Sequence, residues 1–234
     1  MIRKAASAVV DLLYPVRCAG CGRFGMVLCP NCLARLVPAT GPGRCGFCSA
    51  EWDGEGNCPR CFHMHGLEGV RAVYEMSGAA RSLVHALKYH HYRAVAPAMG
   101  AMMSGISEGL AIDRYFAVPL HRSRIKERGF NQSELLLAEA DWRPNGAGLI
   151  RNRKTDRQVG QHLGERRSNV AGAFTYTGPR LEGQTVALVD DVVTTGATVS
   201  ECAAVLKDAG ARAVWGLAFA RASYHPETAE PIED

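Results

Sequence analysis

No stretch of the sequence approaches the roughly eighteen consecutive apolar residues that a membrane-spanning helix needs, so a transmembrane role is not expected. The opening MIRKAASAVVDLLYPVRC starts basic and turns apolar, but Asp11 interrupts the run and no small-residue cleavage site follows. It reads as a short amphipathic helix, which makes a cytoplasmic protein the expectation. Low-complexity tracts are also missing, so neither a fibre nor a disordered chain is indicated. Aromatic residues make up only 7% of the chain, which leaves few platforms for base stacking.

What is there suits a globular protein. With 234 residues and 47% hydrophobic content, the chain can bury one full α/β core and one small extra module. Its net charge of +4 is unevenly spread. Arg122 to Arg167 hold eleven Lys/Arg against six Asp/Glu, a local charge of +5 that must face an anion.

Eight of the nine cysteines form four C-x-x-C pairs, Cys18/Cys21, Cys29/Cys32, Cys45/Cys48 and Cys58/Cys61, separated by seven, twelve and nine residues. That spacing points to zinc. Each pair can form a knuckle presenting two thiolates, and two knuckles complete a tetrahedral set. Sequential pairing is favoured, and interleaved pairing stays open on spacing alone. Disulfides fit poorly with a chain that shows no secretion signal, and ferredoxin-type cysteine runs are spaced differently. Four thiolates per ion leave no open coordination position, so two structural zinc ions are expected. His63 and His65 are then surface residues, and Cys202 is a small core residue.

The most informative stretch is VALVDDVVTTGAT, Val186 to Thr198. Its apolar start suits a central parallel strand covered on both faces, placing Asp190 and Asp191 at the carboxyl end, where open α/β sheets bind ligands. Thr194, Thr195, Gly196, Ala197 and Thr198 are small or hydroxylated and lead straight into a helix. Backbone N–H groups there can close on a phosphate. The helix buries Val199, Cys202, Leu206 and Ala209 and stops at Gly210. Two acceptor-only carboxylates beside an anion cradle suit a ligand with a phosphate and a vicinal diol, such as a 5-phosphoribosyl group.

Elsewhere, a strand is expected over Val70 to Met76 and helices from Gly78 to Tyr92 and from Ala94 to Ser107. Leu83 and Leu87 would face inward and Arg81, His85 and Lys88 outward, with Lys88 able to touch an anion. A strand at Phe116 to Leu120 should precede a basic loop with His121, Arg122, Arg124, Lys126 and Arg128, then a helix from Ser133. After a strand at Gly148 to Arg151, the polar stretch from Asn152 to Phe174 suits a mobile lid bearing Arg153, Lys154, Arg157, Arg166 and Arg167.

Val186 to Thr198 closely resembles the phosphoribosyl-pyrophosphate (PRPP) signature of type I phosphoribosyltransferases. Together with VPLHRSRIKERGFNQSELL, the RNRKTDRQ and ERRSNVAGAF segments, Lys88-Tyr89 and the four C-x-x-C pairs, the chain from Leu12 to Phe219 resembles the ComF family. Those are double-zinc-ribbon, phosphoribosyltransferase-like proteins linked to DNA uptake in bacterial competence. The resemblance implies a fold of class α/β, type I phosphoribosyltransferase, with a mostly parallel sheet flanked by helices and a small N-terminal double zinc ribbon. It divides the chain into residues 1–66 for the ribbon, 67–225 for the transferase domain and 226–234 for a tail.

It further implies that Asp190 and Asp191 hold ribose hydroxyls, Thr194 to Thr198 the 5′-phosphate, and His121, Arg122, Arg124 and Arg128 the pyrophosphate, with Mg²⁺ bridging ligand oxygens. Catalysis would then rest on Asp190, Asp191, Arg122 and Arg128. No hood motif for a base and no amidotransferase domain is legible. Three readings stay open: a transferase acting in competence, a PRPP sensor handling single-stranded DNA with the competence machinery, and a purely metabolic phosphoribosyltransferase.

Overall fold

The computed structural model describes residues 16–61, 64–89, 92–143, 146–153 and 170–222. Its centre is a four-stranded parallel sheet built from β1 (Gly69–Glu75), β2 (Arg114–Ala117), β5 (Thr185–Val193) and β6 (Ala213–Arg221) in the order β1-β6-β5-β2. β5 is flanked on both sides, which its unbroken apolar run requires. Val186 and Leu188 face one layer and Ala187 and Val189 the other, all fully buried. A separate antiparallel pair, β3 (Leu149–Arg151) and β4 (Phe174–Tyr176), packs nearby.

One face of the sheet is covered by α2 (Gly78–Tyr89), α3 (Ala96–Met103) and α5 (Gln132–Glu139). Leu83 and Leu87 point into this layer as expected. The helix expected from Ala94 to Ser107 is instead three short pieces, with 3₁₀ turns at Arg93–Val95 and Ser104–Ser107 flanking α3. Gly100 lets α3 cross α5 closely: a Cβ there would lie 2.5 Å from the backbone carbonyl carbon of Glu139. The other face is covered by α6 (Ala197–Asp208), which buries Val199, Cys202 and Leu206; Ala209 just beyond it is only partly covered.

Between β2 and α5 lies a difference from expectation. The basic segment is not a loop but helix α4 (Arg122–Arg128). The His121 ring nitrogen accepts the Ser123 N–H at its start, and Gly129, at φ 79°, ends it in the left-handed conformation. The capping outweighs the poor apolar periodicity of RSRIKER.

The cysteine-rich segment, which includes the short helix α1 (Pro30–Leu33), lies against the β1 edge of the sheet. Ala39 donates its N–H to Val73 O and Glu75 donates to Val37 O, so Pro38 bridges to Tyr74 in antiparallel fashion. Further along, Val70 N–H donates to Phe47 O at 2.6 Å, while Ser49 Oγ donates to Val70 O and accepts from Ala72 N–H. These bonds satisfy an edge that would otherwise present unpaired backbone groups. Cys45, Cys48 and Cys58 belong to the same apolar cluster as Leu188 and Leu206. Buried residues on the two sides of residue 66 thus pack in one cluster.

The expected N-terminal helix, the stretch from Lys154 to Asn169 and the tail lie outside the described residues. Among the described residues no helix is long and apolar enough to cross a membrane.

Candidate metal centres and strand-end site

The eight paired cysteines gather sequentially, Cys18, Cys21, Cys29 and Cys32 in one group and Cys45, Cys48, Cys58 and Cys61 in the other, with the ligand atoms of each within 4.8 Å of one another. A Zn–S bond of about 2.3 Å places tetrahedral sulfurs about 3.8 Å apart. Cys21 Sγ lies 3.7 Å from Cys29 Sγ, and Cys48 Sγ lies 3.9 Å from Cys58 Sγ, so both groups fit the ion. Interleaved pairing is ruled out by this geometry.

The local surroundings bear unevenly on these thiols. At Cys18 burial opposes ionisation, but backbone N–H groups of Cys29, Cys21 and Gly20 outweigh it and bring the thiol down to about 6. At Cys32 burial and the neighbouring Cys29 push it up to about 12. Burial also pushes Cys48 up, opposed by the Ala50 N–H and by the charge of Arg221. A divalent ion removes this conflict by making every thiol a thiolate.

The second site forms where β5 meets α6. Asp191, at 2% exposure, is buried and Asp190 only partly accessible, so the pair is not the exposed feature that a strand end suggests. Lys88 Nζ lies 3.1 Å from Asp191 Oδ2. That lysine is therefore turned toward the sheet, not outward into solvent, because the last turn of α2 ends beside the strand tip. Gln132 Nε2 donates to Asp191 Oδ1 at 3.4 Å, and Arg128 Nη1 donates to Gln132 Oε1 at 2.6 Å. Ser133 Oγ and the Asp191 N–H both donate to Asp190 Oδ1 at 2.9 Å.

Desolvation pushes Asp190 up to about 8, reinforced by the charge of Asp191 and opposed by Lys88 and the Ser133 hydroxyl. The folded value lies above the ordinary 3.8, so the folded state binds the extra proton and stability falls as pH rises from about 4 to about 8. Asp190→Asn is expected to flatten this slope in urea unfolding compared at pH 6 and pH 8.5. An unchanged slope would contradict the assignment of the proton to Asp190.

Beyond the acids, Gly196 adopts φ 82° and caps α6, with Thr195 Oγ1 accepting the Ala197 N–H. The first turn of a helix leaves amides without intrahelical partners, and its dipole is positive there. Gly196 and Ala197 are buried, while Thr194, Thr195 and Thr198 are partly accessible. His121 and α4 follow the neighbouring strand β2, so they lie at the same end of the sheet. Within α4, Arg122 is exposed and Arg124 pairs with Glu127 at 3.2 Å.

Three residues that sequence reasoning left without a role also belong here. Gln132 and Ser133 hold the acid pair; their signal lay in the segment RGFNQS after the basic stretch. Arg151, at the end of β3, is close enough to Asp190 and Arg124 to feel both charges, although burial is the main cause of its lowered pKa. Nothing in LIR marks it.

Against this geometry stand the relatives. The sequence pattern of the double zinc ribbon domain matches residues 9–62. DNA utilization protein YhgH of Salmonella typhimurium is 32% identical over 211 residues, covering 84% of this chain and 85% of the relative. The chain belongs to the ComF family. Competence protein ComFC of Bacillus subtilis is 27% identical over 201 residues, covering 78% of this chain and 79% of that protein. Competence protein F of Haemophilus influenzae is 39% identical over 111 residues, 44% of this chain and 48% of the relative. As a ComF protein the chain combines a parallel α/β sheet with two Cys₄ sites suited to structural zinc.

Proposed function

We propose that this ComF protein binds PRPP or another 5-phosphoribosyl ligand at the carboxyl end of β5 and acts in DNA uptake. The observation that carries the reading is the juxtaposition of the Asp190–Asp191 pair with the Gly196 turn at the start of α6. Ribose hydroxyls would donate to the carboxylates, and the 5′-phosphate would accept from the loop amides and the hydroxyls of Thr194, Thr195 and Thr198. The role in DNA uptake rests on relatives named for competence and DNA utilization.

The same site would support phosphoribosyl transfer. The bond from C1 to pyrophosphate breaks, and an acceptor lone pair forms the new bond as the acceptor loses its proton. His121, Arg122, Arg124 and Arg128 would stabilise the charge on departing pyrophosphate. Gln132, Ser133 and Lys88 would orient the acids. Mg²⁺ brought in with the ligand would supply neutralisation of the pyrophosphate charge. A pyrophosphate-release assay with PRPP and Mg²⁺ against a panel of bases and ammonia tests this step: release that depends on one acceptor is the result expected of a transferase. Binding without release would leave a PRPP sensor, and no binding would remove the reading.

Single-stranded DNA is the partner suggested by the local positive charge. On the ribbon, Arg23 and Arg35 are exposed, whereas Arg44 is committed to Glu75. Of the ribbon aromatics Phe24 is 54% exposed with Arg17 stacked 4.2 Å over its ring, while Phe47 and Trp52 pack against the core and Phe62 lies outside the described residues. Weak binding that falls steeply with salt is expected, because each neutralised phosphate releases counterions. Fluorescence anisotropy with a labelled oligonucleotide checks this, and an affinity indifferent to salt would contradict it.

A further inference from the structure

Arg221, the last residue of β6, is 2% exposed, and among the described residues no carboxylate pairs with it. Its Nε donates to Cys48 O at 2.8 Å, and its Nη1 donates to Val193 O at 2.8 Å and to Thr194 O. One guanidinium thus joins a knuckle of the second cysteine cluster to the first residue of the phosphate loop. A buried cation requires a countercharge. Zinc held by four thiolates carries a net charge of about −2 and supplies it.

Two more ties run from the end of the same cluster to this loop and to the helix that follows it. Met64, whose N–H donates to Cys61 O at 2.9 Å, lies against Gly196, where an added Cβ would stand 2.6 Å from Met64 Cε. The His65 N–H donates to Ser200 Oγ in the first turns of α6 at 3.2 Å. The first cysteine cluster instead packs on Ala79 at the start of α2.

We propose that Arg221 is a positioning residue through which zinc in the Cys45–Cys61 site shapes the Val193–Gly196 turn, so that metal occupancy there sets affinity for the phosphate end of the ligand. The phosphate assignment rests on the function proposed above; the mechanical coupling does not. Coupling of this kind is reciprocal, so ligand must also slow loss of the second zinc.

Hydrogen exchange of the ligand-free protein over residues 192–199 tests the coupling without any ligand. Arg221→Lys keeps the charge but lacks the planar fork whose separate nitrogens reach Cys48 O and Val193 O, and is expected to retain both zinc ions while speeding exchange of these amides by about tenfold or more. Cys21→Ser, in the first cluster, should leave them unchanged. Unaltered exchange in a zinc-replete Arg221→Lys protein overturns the proposal. Zinc release to a chromogenic chelator, followed with and without PRPP and Mg²⁺, supplies the reciprocal reading: PRPP should slow one of two release phases about fivefold in the wild type and not in Arg221→Lys. Saturating PRPP that changes neither phase also overturns it. If PRPP does not bind while exchange responds to Arg221→Lys, the coupling stands and the ligand assignment falls.

Discussion

Stripping zinc from the second cluster is expected to unfold the α/β sheet, whereas stripping it from the first should loosen only the ribbon that carries it. Structural zinc contributes on the order of 10 kcal/mol per site, comparable to the whole stability of a typical domain at about 5–15 kcal/mol. What differs between the sites is where that energy is anchored. Cys45, Cys48 and Cys58 share a buried cluster with Val186, Leu188, Val199 and Leu206, and the Phe47–Ser49 segment bonds directly to Val70 and Ala72 of β1. Among the described residues, Cys18, Cys29 and Cys32 bury Ala79 with them, and Leu28 and Leu36 pack alongside. Cys48→Ser should therefore lose one zinc and abolish cooperative thermal unfolding of the sheet. Cys21→Ser should lose one zinc and keep that transition. Circular dichroism melts paired with elemental analysis check both, and equal melts would contradict the ranking.

Replacing Lys88 by Met should cost about 3–5 kcal/mol at neutral pH, because the change strands a buried carboxylate beside the apolar end of α2. Asp191 is 2% exposed, and besides Lys88 its partner is the long contact from Gln132 at 3.4 Å. The side chain of Met fills nearly the volume of Lys, so cavity formation is a minor part of the loss. Adding Asp191→Asn removes the uncompensated charge and should recover most of the stability. Urea unfolding of the two single variants and the double variant yields the coupling. Additive losses would mean that the ion pair is incidental to the fold.

The contrast between Lys88 and β5 explains what the sequence could disclose. β5 was legible because an unbroken apolar run has a single comfortable place, the middle of a parallel sheet, and Asp190 and Asp191 followed from it by position. The cysteine groups were legible because knuckle spacing reflects zinc geometry, although the pairing needed coordinates. The inward turn of Lys88 is not legible, because helical periodicity assigns faces within a helix and is silent on what its last turn meets. Helix α4 is not legible because RSRIKER has hardly any apolar periodicity; a His cap and a left-handed Gly129 define it instead. Arg221 looks like an ordinary charged residue closing AVWGLAFAR, and its burial comes from segments some thirty and one hundred seventy residues away, Val193 and Cys48.

The ribbon's attachment also bears on function. It completes the β1 edge, supplies part of the core and touches the loop at the start of α6, so metal binding and the strand-end site are built on one framework. A ComF protein in which the ribbon was only a tethered DNA-binding appendage would have no need of these bonds.

The central claim, that Asp190, Asp191 and the Gly196 turn form a phosphoribosyl site, is tested most directly by titrating PRPP with Mg²⁺ into the zinc-replete protein in a calorimeter, beside the Asp190→Asn, Asp191→Asn double variant. The account predicts saturable, Mg²⁺-dependent binding to the wild type and a loss of about a hundredfold or more in a variant that still unfolds cooperatively, since each lost charge-assisted hydrogen bond is worth about 1.5–3 kcal/mol. Equal affinity in the folded double variant, or no heat from the wild type at millimolar PRPP, would contradict it.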